Sequence, residues 1–247
     1  MDPLLSLLFD SATRPFLASG RFNWYSARWK LRLDPVFFAL LRHGTLPDSG
    51  RLLDLGCGRG ILLSLLVAAR TEFQHDRWPR GWPPPPLNLE LQGLDVRQDR
   101  VQVARRALGE GVRVDAGDVR HLDFPPCSAI VLLDVLFYLG GDEQSRVLER
   151  AARALKPGGL LLLREPDADS GFRFRVTQWS ERLLEAGRGH LRNRLHYRGA
   201  RSWCSLFERL GFAVESEPMS AGTPFANVLF VARKTVRNPL ETVDKRG

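Results

Sequence analysis

Residues 52–60 read Leu-Leu-Asp-Leu-Gly-Cys-Gly-Arg-Gly, and their reading decides the fold. Arg51–Leu55 is a short apolar run, predicted to be a strand. It opens into a glycine-rich turn, Gly56-Cys57-Gly58-Arg59-Gly60, and Ile61–Arg70 follows as a predicted helix. Glycines let the main chain turn sharply and approach a ligand closely, and the helix behind them presents free N–H groups. The spacing excludes two phosphate-binding loops. A dinucleotide loop reads G-x-G-x-x-G, but the residue three after Gly58 is Ile61. A phosphate-cradling P-loop ends in G-K-[ST], and that ending is missing. The glycines run G-x-G-x-G behind an acid, Asp54.

Outward from this motif, strands and helices alternate. Glu90–Asp95, Gly111–Asp115 and Ala129–Asp134 read as strands, with a helix over Gln98–Leu108. Glu143–Leu155 places Val147, Leu148, Ala151, Ala152 and Leu155 on one helical face. Lys156-Pro157-Gly158-Gly159 stops that helix, and the strand Leu160–Arg164 follows. Gly211–Glu217 and Asn227–Arg233 are the last strands. This alternation predicts an α/β fold, a doubly wound, mostly parallel sheet with helices on both faces. Ligands of such sheets sit beyond the carboxyl ends of the strands. That rim collects Asp54–Gly60, Asp95, Asp118, Asp134–Tyr138 and Glu165. Before the sheet, Pro3–Phe9 and Trp24–Leu41 read as helices, the second interrupted at Pro35. Arg77–Pro86, RWPRGWPPPP, reads as a stiff surface loop, since proline lacks the donor and fixes φ. Residues 173–210 read as mostly helical and very basic. The expected organisation is an N-terminal helical segment over 1–48, the place to look for a lid, and an α/β ligand-binding domain over 49–236. That domain carries a proline-rich insertion over 71–88 and a helical acceptor-side insertion over 170–210, and a tail covers 237–247.

Five segments in order carry a family resemblance over about residues 50–234. LLDLGCGRG, LQGLD ending at Asp95, Gly117-Asp118-Val119, IVLLDVL from Ile130, and LKPGGLLL from Leu155 resemble the motifs of the class I S-adenosylmethionine-dependent methyltransferases. The resemblance implies seven strands, the last antiparallel, and S-adenosylmethionine as cofactor. It also implies the site residues. Gly56, Cys57, Gly58 and Gly60 would line the amino-acid end of the cofactor, with Asp54 orienting the loop or meeting the ammonium. Asp95 would accept both ribose hydroxyls, with Val96 beside it. Asp118 would accept from the adenine amino group and the Val119 N–H would face a ring nitrogen. Asp134 closes the rim, and Tyr25 and Arg28, at helical spacing in the N-terminal segment, would reach the cofactor carboxylate. One spacing departs from the usual pattern. Asp95 follows Gly56 by 39 positions, where roughly 20 is typical of nucleotide-binding βαβ units. The assignment holds if the proline-rich insertion loops out; otherwise Asp99 is the nearest substitute.

Methyl transfer from a sulfonium mainly needs an aligned nucleophile and exclusion of water. No catalytic residue is fixed by sequence. Tyr138, Glu165, His190 and His196 are the candidates for a base or substrate contact, with a solvated loop acid the simpler reading of Glu165. No metal site is expected. The segment Asp134-Val135-Leu136-Phe137 lacks the [DN]-P-P-[YF] pattern of amino-methylating nucleic-acid enzymes, and there is no double-acid loop as in protein arginine methyltransferases. LLREPDA (162–168) and the C-terminal TPFANVLFVARK resemble bacterial methyltransferases of fatty-acid and aryl-polyene biosynthesis. A small-molecule acceptor, phenolic or carrier-bound, is the leading expectation. An RNA methyltransferase and a non-catalytic cofactor-binding domain are the alternatives.

The chain has 247 residues and a net charge of +8. That balance keeps nucleic acid and anionic surfaces open as partners. Only Lys30, Lys156, Lys234 and Lys245 are lysine, so the excess is arginine spread over the whole chain, which fits background usage. No nucleic-acid partner is expected. The aromatic–basic segment Phe22–Lys30 is compatible with weak peripheral contact to a membrane or a carrier protein. Oligomeric state is left open. Cys57, Cys127 and Cys204 are sparse and odd in number, against a disulfide framework. The opening MDPLLSLLFD lacks the basic lead and apolar length of a secretory leader. Cytoplasmic placement is expected.

Overall fold

The computed structural model describes residues 3–171, 174–175, 195–219 and 226–236. Three helices open the chain: α1 (Pro3–Thr13), α2 (Arg21–Leu33) and α3 (Pro35–Arg42), with a 3-10 turn Arg14–Ser19 between the first two. The sheet strands are β1 (Ser49–Leu55), β2 (Asn88–Asp95), β3 (Arg113–Ala116), β4 (Cys127–Leu133), β5 (Leu155–Pro166), β6 (Phe212–Pro218) and β7 (Asn227–Lys234). Helices α4 (Ile61–Gln74), α5 (Gln98–Leu108), α6 (Gly141–Ala154) and α7 (Ala200–Arg209) lie between them. His190, much of the insertion expected over 170–210 and the tail 237–247 lie outside the described residues.

The strand order is β3-β2-β1-β4-β5-β7-β6. Strands β1 to β5 pair in parallel and β7 runs antiparallel between β5 and β6. The doubly wound sheet with an antiparallel last strand is as expected. Helices α1–α5 share one core with Leu52, Leu91, Ala129, Val131 and Leu162. Helices α6 and α7 share the other with Leu53, Leu55, Ile130, Leu132 and Leu161. Strand β4 is buried on both faces, which is why its sequence is a continuous apolar run rather than an alternating one.

Pro35 does split the N-terminal helical stretch. Asp34 accepts the Val36 N–H at 3.2 Å and so caps α3, with Pro35 at the first helical position, where its missing N–H costs nothing. The lysine–proline–glycine–glycine segment does not precede β5 but lies inside it. A register shift between Cys127 and Ala129 absorbs the extra residues, so β5 begins at Leu155. Helix α4 extends to Gln74, which shortens the insertion. Its loop is packed rather than free. Trp82 meets Phe38 edge-on at 5.6 Å, Phe38 meets Phe9 at 5.1 Å, and Trp78 donates to the Pro83 carbonyl at 2.9 Å.

The connection from β3 to β4 carries no helix. The sheet face it leaves open forms a groove of about 650 Å³ lined by Arg51, Glu90, Gln92, Arg113, Asp115 and Phe124, among others. No glycine-loop residue borders it, so this groove follows from the absent helix and is separate from the rim. No helix among the described residues is long and apolar enough to cross a membrane.

A buried cation ties the N-terminal helices to the sheet. Arg164, near the end of β5, is 1% exposed. Its Nε donates to Asp134 Oδ1 at 2.9 Å, its Nη2 to Asp134 Oδ2 and its Nη1 to Asp34 Oδ1. Lys30 adds contacts of 2.9 Å to Asp34 and 3.4 Å to Asp134. Burial alone would raise the Asp34 pKa, but the Arg164 and Lys30 cations outweigh it and hold the carboxyl down to about 2. Its stabilising share is full above the ordinary carboxyl value of 3.8 and is lost as pH falls through about 2. Removing one partner of such a buried pair leaves the other charge uncompensated. Arg164→Met should lower stability by about 3–5 kcal/mol in urea unfolding at neutral pH. The gap to wild type should narrow as Asp34 protonates; a constant gap across the acid range would contradict this reading.

Candidate functional site

The loop after β1 is held by the end of β2. Gly56 and Cys57 both donate to the Leu94 carbonyl, at 2.7 and 3.0 Å. The Gly58 N–H donates to Asp95 Oδ2 at 2.8 Å, and the Arg97 N–H to Asp95 Oδ1 at 2.8 Å. Asp95 therefore fixes the loop as well as the β2–α5 turn. Each carboxylate oxygen still has a lone pair, enough for two hydroxyl donors. Two glycines are required for different reasons. Gly56 has φ +78° and a Cβ there would lie 2.3 Å from Val135 Cγ2, so the β4 end closes against it. Gly58 has φ +58° and nothing within 4 Å of the missing Cβ, so its backbone faces open space. The insertion does loop out, and Asp95, not Asp99, meets the loop. Asp99 pairs with Arg97 in the first turn of α5.

Asp54 is the second acid. It is 3% exposed, and no donor meets its carboxyl among the described residues. Burial, with the nearby Asp95 charge, raises its pKa to about 7. A buried acid without donors is costly unless a cation arrives to pair with it. Cys57 is buried beside both acids, and its thiol pKa is pushed up, first by burial and then by those charges. It stays a thiol.

The remaining rim residues are placed as follows. Asp118 is bound by its neighbour: Arg120 donates from its backbone at 2.9 Å and from Nη2 at 2.7 Å. These bonds, the side-chain bond first, hold the Asp118 pKa below its ordinary value. Val119 is buried beside it, and Val96 is exposed. Asp134 belongs to the Arg164 network and sits at φ +60°, in the left-handed region. Arg28 pairs with Asp10 of α1 and covers the Trp24 ring, while Tyr25 lies half-exposed on the outer side of α2. The glycine loop meets α2 through Arg59, which donates to Ser26 Oγ at 3.2 Å.

Glu165 is not a solvated loop acid. It is 1% exposed within β5 and accepts the N–H groups of Val135, Leu136 and Phe137 at 3.2, 2.7 and 3.1 Å. Burial outweighs these bonds and raises its pKa to about 8. Its oxygens hold the turn Leu136–Tyr138 in place. That turn presents an aromatic wall. Phe137 stacks on Tyr197 at 5.7 Å, Tyr138 lies 4.4 Å from Phe137, and Phe174 meets Tyr197 edge-on at 5.0 Å. The His196 N–H donates to the Phe137 carbonyl at 2.7 Å, and its side chain is exposed. Buried Gln144 donates to the Leu136, Leu139 and His196 carbonyls and tightens this cluster. Sequence reading missed Gln144, Lys30, Asp34 and Arg164; only Asp34, an acid before proline, had a local signal, as a helix cap.

A family model described as "Methyltransferase domain" matches residues 28–217. The chain belongs to this methyltransferase family, in its class I S-adenosylmethionine-dependent branch. The chain is 37% identical over 117 residues to a carboxy-S-adenosyl-L-methionine synthase of Chromohalobacter salexigens, covering 45% of this chain and 38% of that protein. It is 34% identical over 129 residues to a trans-aconitate 2-methyltransferase of Methylobacterium nodulans, covering 52% and 43%. The chain thus spans less than half the length of these two relatives. In fold it resembles human N-acetylserotonin methyltransferase in complex with SAM, at TM-score 0.58 and 19% identity over 95% of this chain and 60% of that one. It also resembles magnesium protoporphyrin IX methyltransferase from Synechocystis with bound SAH, at TM-score 0.58 and 17% identity over 95% and 100%.

The site fits a cationic ligand bearing hydroxyls: among the described residues Asp54 has no hydrogen-bond donor, Asp95 has lone pairs to spare, and Gly58 faces open space. The Asp54 pKa is raised, so its carboxyl favours the folded state most below the ordinary value of 3.8, and that advantage is lost as pH rises through about 7. Asp54→Asn should therefore melt at or above wild type at pH above about 7, yet bind S-adenosylmethionine at least roughly tenfold more weakly. A variant that melts much lower and binds normally would show Asp54 to be a structural acid.

Proposed function

We propose that the protein binds S-adenosylmethionine over the glycine loop and transfers its methyl group to a small-molecule acceptor with an aromatic body. The observation that carries this reading is a buried acid, Asp54, that no donor among the described residues meets, beside a glycine loop pinned by Asp95. The cofactor, when bound, supplies a methyl group activated by a positively charged sulfur, ready for in-line displacement. The chain's own residues bind and orient. Asp54 gives up its proton and pairs with the ligand's positive charge. Asp95 accepts the ribose hydroxyls with the lone pairs its two backbone donors leave. Gly58 lets the main chain approach closely. Val135 packs on Gly56 and sets the distance between the glycine loop and the aromatic wall. Glu165 holds that wall through three main-chain bonds, so it positions residues rather than taking a proton from the acceptor. Among the described residues, Tyr138 and His196 are the exposed side chains at the wall able to accept a proton from a hydroxyl nucleophile. Aromatic faces suit both a phenolic acceptor and a sulfonium.

Calorimetric titration should find S-adenosylmethionine binding that Asp95→Ala weakens by roughly 100-fold, because two hydroxyl acceptors and the loop anchor are lost together. A labelled-methyl screen against phenols, carrier-bound acyl substrates and RNA should give product among the small molecules. Product on RNA alone would overturn the acceptor assignment. Cofactor binding with no product from any acceptor would reduce the protein to a binding domain.

A further inference from the structure

Helix α2 has two apolar sides; one is buried, and the other is largely exposed, with Arg59 of the glycine loop over the Phe22 ring at 5.5 Å and Tyr25 against Trp24 at 4.6 Å. Ala27 and Leu31 are buried against the core, at 1% and 0% exposure. Phe22, Tyr25, Trp29 and Leu33 are 73%, 52%, 61% and 60% exposed. At about 100° per residue these four fall within roughly 80° of the helix circumference, opposite Ala27 and Leu31. They form an apolar ridge about 17 Å long on the outer side of the helix. Charge flanks the ridge. From Ser11 to Leu33 the sequence has five cations (Arg14, Arg21, Arg28, Lys30, Arg32) and no acid. Arg28 and Lys30 are paired to aspartates. Arg14, Arg21 and Arg32 are exposed and have no ion-pair partner among the described residues.

We propose that α2 docks the protein onto the surface of an anionic phospholipid bilayer. An exposed ridge of Phe, Tyr, Trp and Leu suits the boundary between headgroups and acyl chains, where aromatic rings sit with one side apolar and one wet. Unpaired Arg21 and Arg32 beside it meet lipid phosphates, and their long stems allow the charge to reach the headgroups. The ridge is too narrow and too strongly basic at its edges to close well on a second copy, which would set arginine against arginine. The helix is held rigidly from behind by the α1 and α3 packing and by the Lys30–Asp34–Arg164 network, so docking requires no refolding. This binding mode is independent of which acceptor is methylated.

The test is flotation of the full chain with vesicles of phosphatidylcholine containing about 30% phosphatidylglycerol, compared with phosphatidylcholine alone. Co-flotation with the anionic vesicles is expected, falling steeply at about 0.5 M salt. The double variant Trp29→Ser, Leu33→Ser should keep the wild-type melting temperature, since both side chains face solvent, and partition at least roughly tenfold less. Arg21→Glu with Arg32→Glu should lose anionic preference. Absence of binding to anionic vesicles, or a Trp29/Leu33 variant that binds as wild type does, would overturn the proposal. So would a dimer in light scattering that this variant dissociates without any vesicle binding, which would give the ridge to a second copy.

Discussion

The bond from the Gly58 N–H to the Asp95 carboxylate organises the site. It joins the ends of two adjacent parallel strands, β1 and β2, across a turn that has no regular pairing of its own. Once that turn is held, Gly56 can accept the close approach of Val135 from β4, and α4 can start directly behind Gly60. The cost is electrostatic. Two acids, Asp54 and Asp95, are buried near one another, and Asp54 answers by holding its proton. The folded protein therefore keeps a neutral acid where a cationic ligand would want an ionised one. Binding and proton release become a single event.

A second buried charge does a different task. Arg164 spans the end of β5, the end of β4 and the junction of α2 and α3. Its guanidinium meets two carboxylates in a fork geometry that lysine would not reproduce. Next to it in sequence, Glu165 turns the other way and takes three main-chain donors. Adjacent residues of a strand point to opposite faces. One pair thus anchors the N-terminal helices on one face and the aromatic wall on the other.

Much of the glycine-loop rim was legible in the sequence, because it is local. Strand, glycine turn and helix follow one another within a few residues, and each later strand ends in a readable acid or turn. The spacing anomaly left Asp95 conditional on the proline-rich stretch looping out, and the structure meets that condition, with Asp95 on the glycine loop. What was hidden is long-range. Arg164 and Asp34 are far apart in the chain, and nothing near either residue announces the other. Glu165, inside REPD, looks like a loop acid because its neighbours are polar and proline; only the β5–β7 pairing through Pro166 buries it. The insertion looked free because composition records prolines, while its packing depends on Phe9 and Phe38 at the other end of the fold. The outer ridge of α2 was visible as an aromatic–basic mix, but which side of the helix faced solvent depended on the core beneath it.

The most direct test of the coupling between Asp54 and a cationic ligand is proton exchange on binding. Calorimetric titration with S-adenosylmethionine in two buffers of different ionisation enthalpy, at pH about 6, measures it. Release of close to one proton is expected, because Asp54 is mostly protonated there and ionises against the ligand. Binding with no proton released, or with proton uptake, would contradict the role assigned to this buried acid.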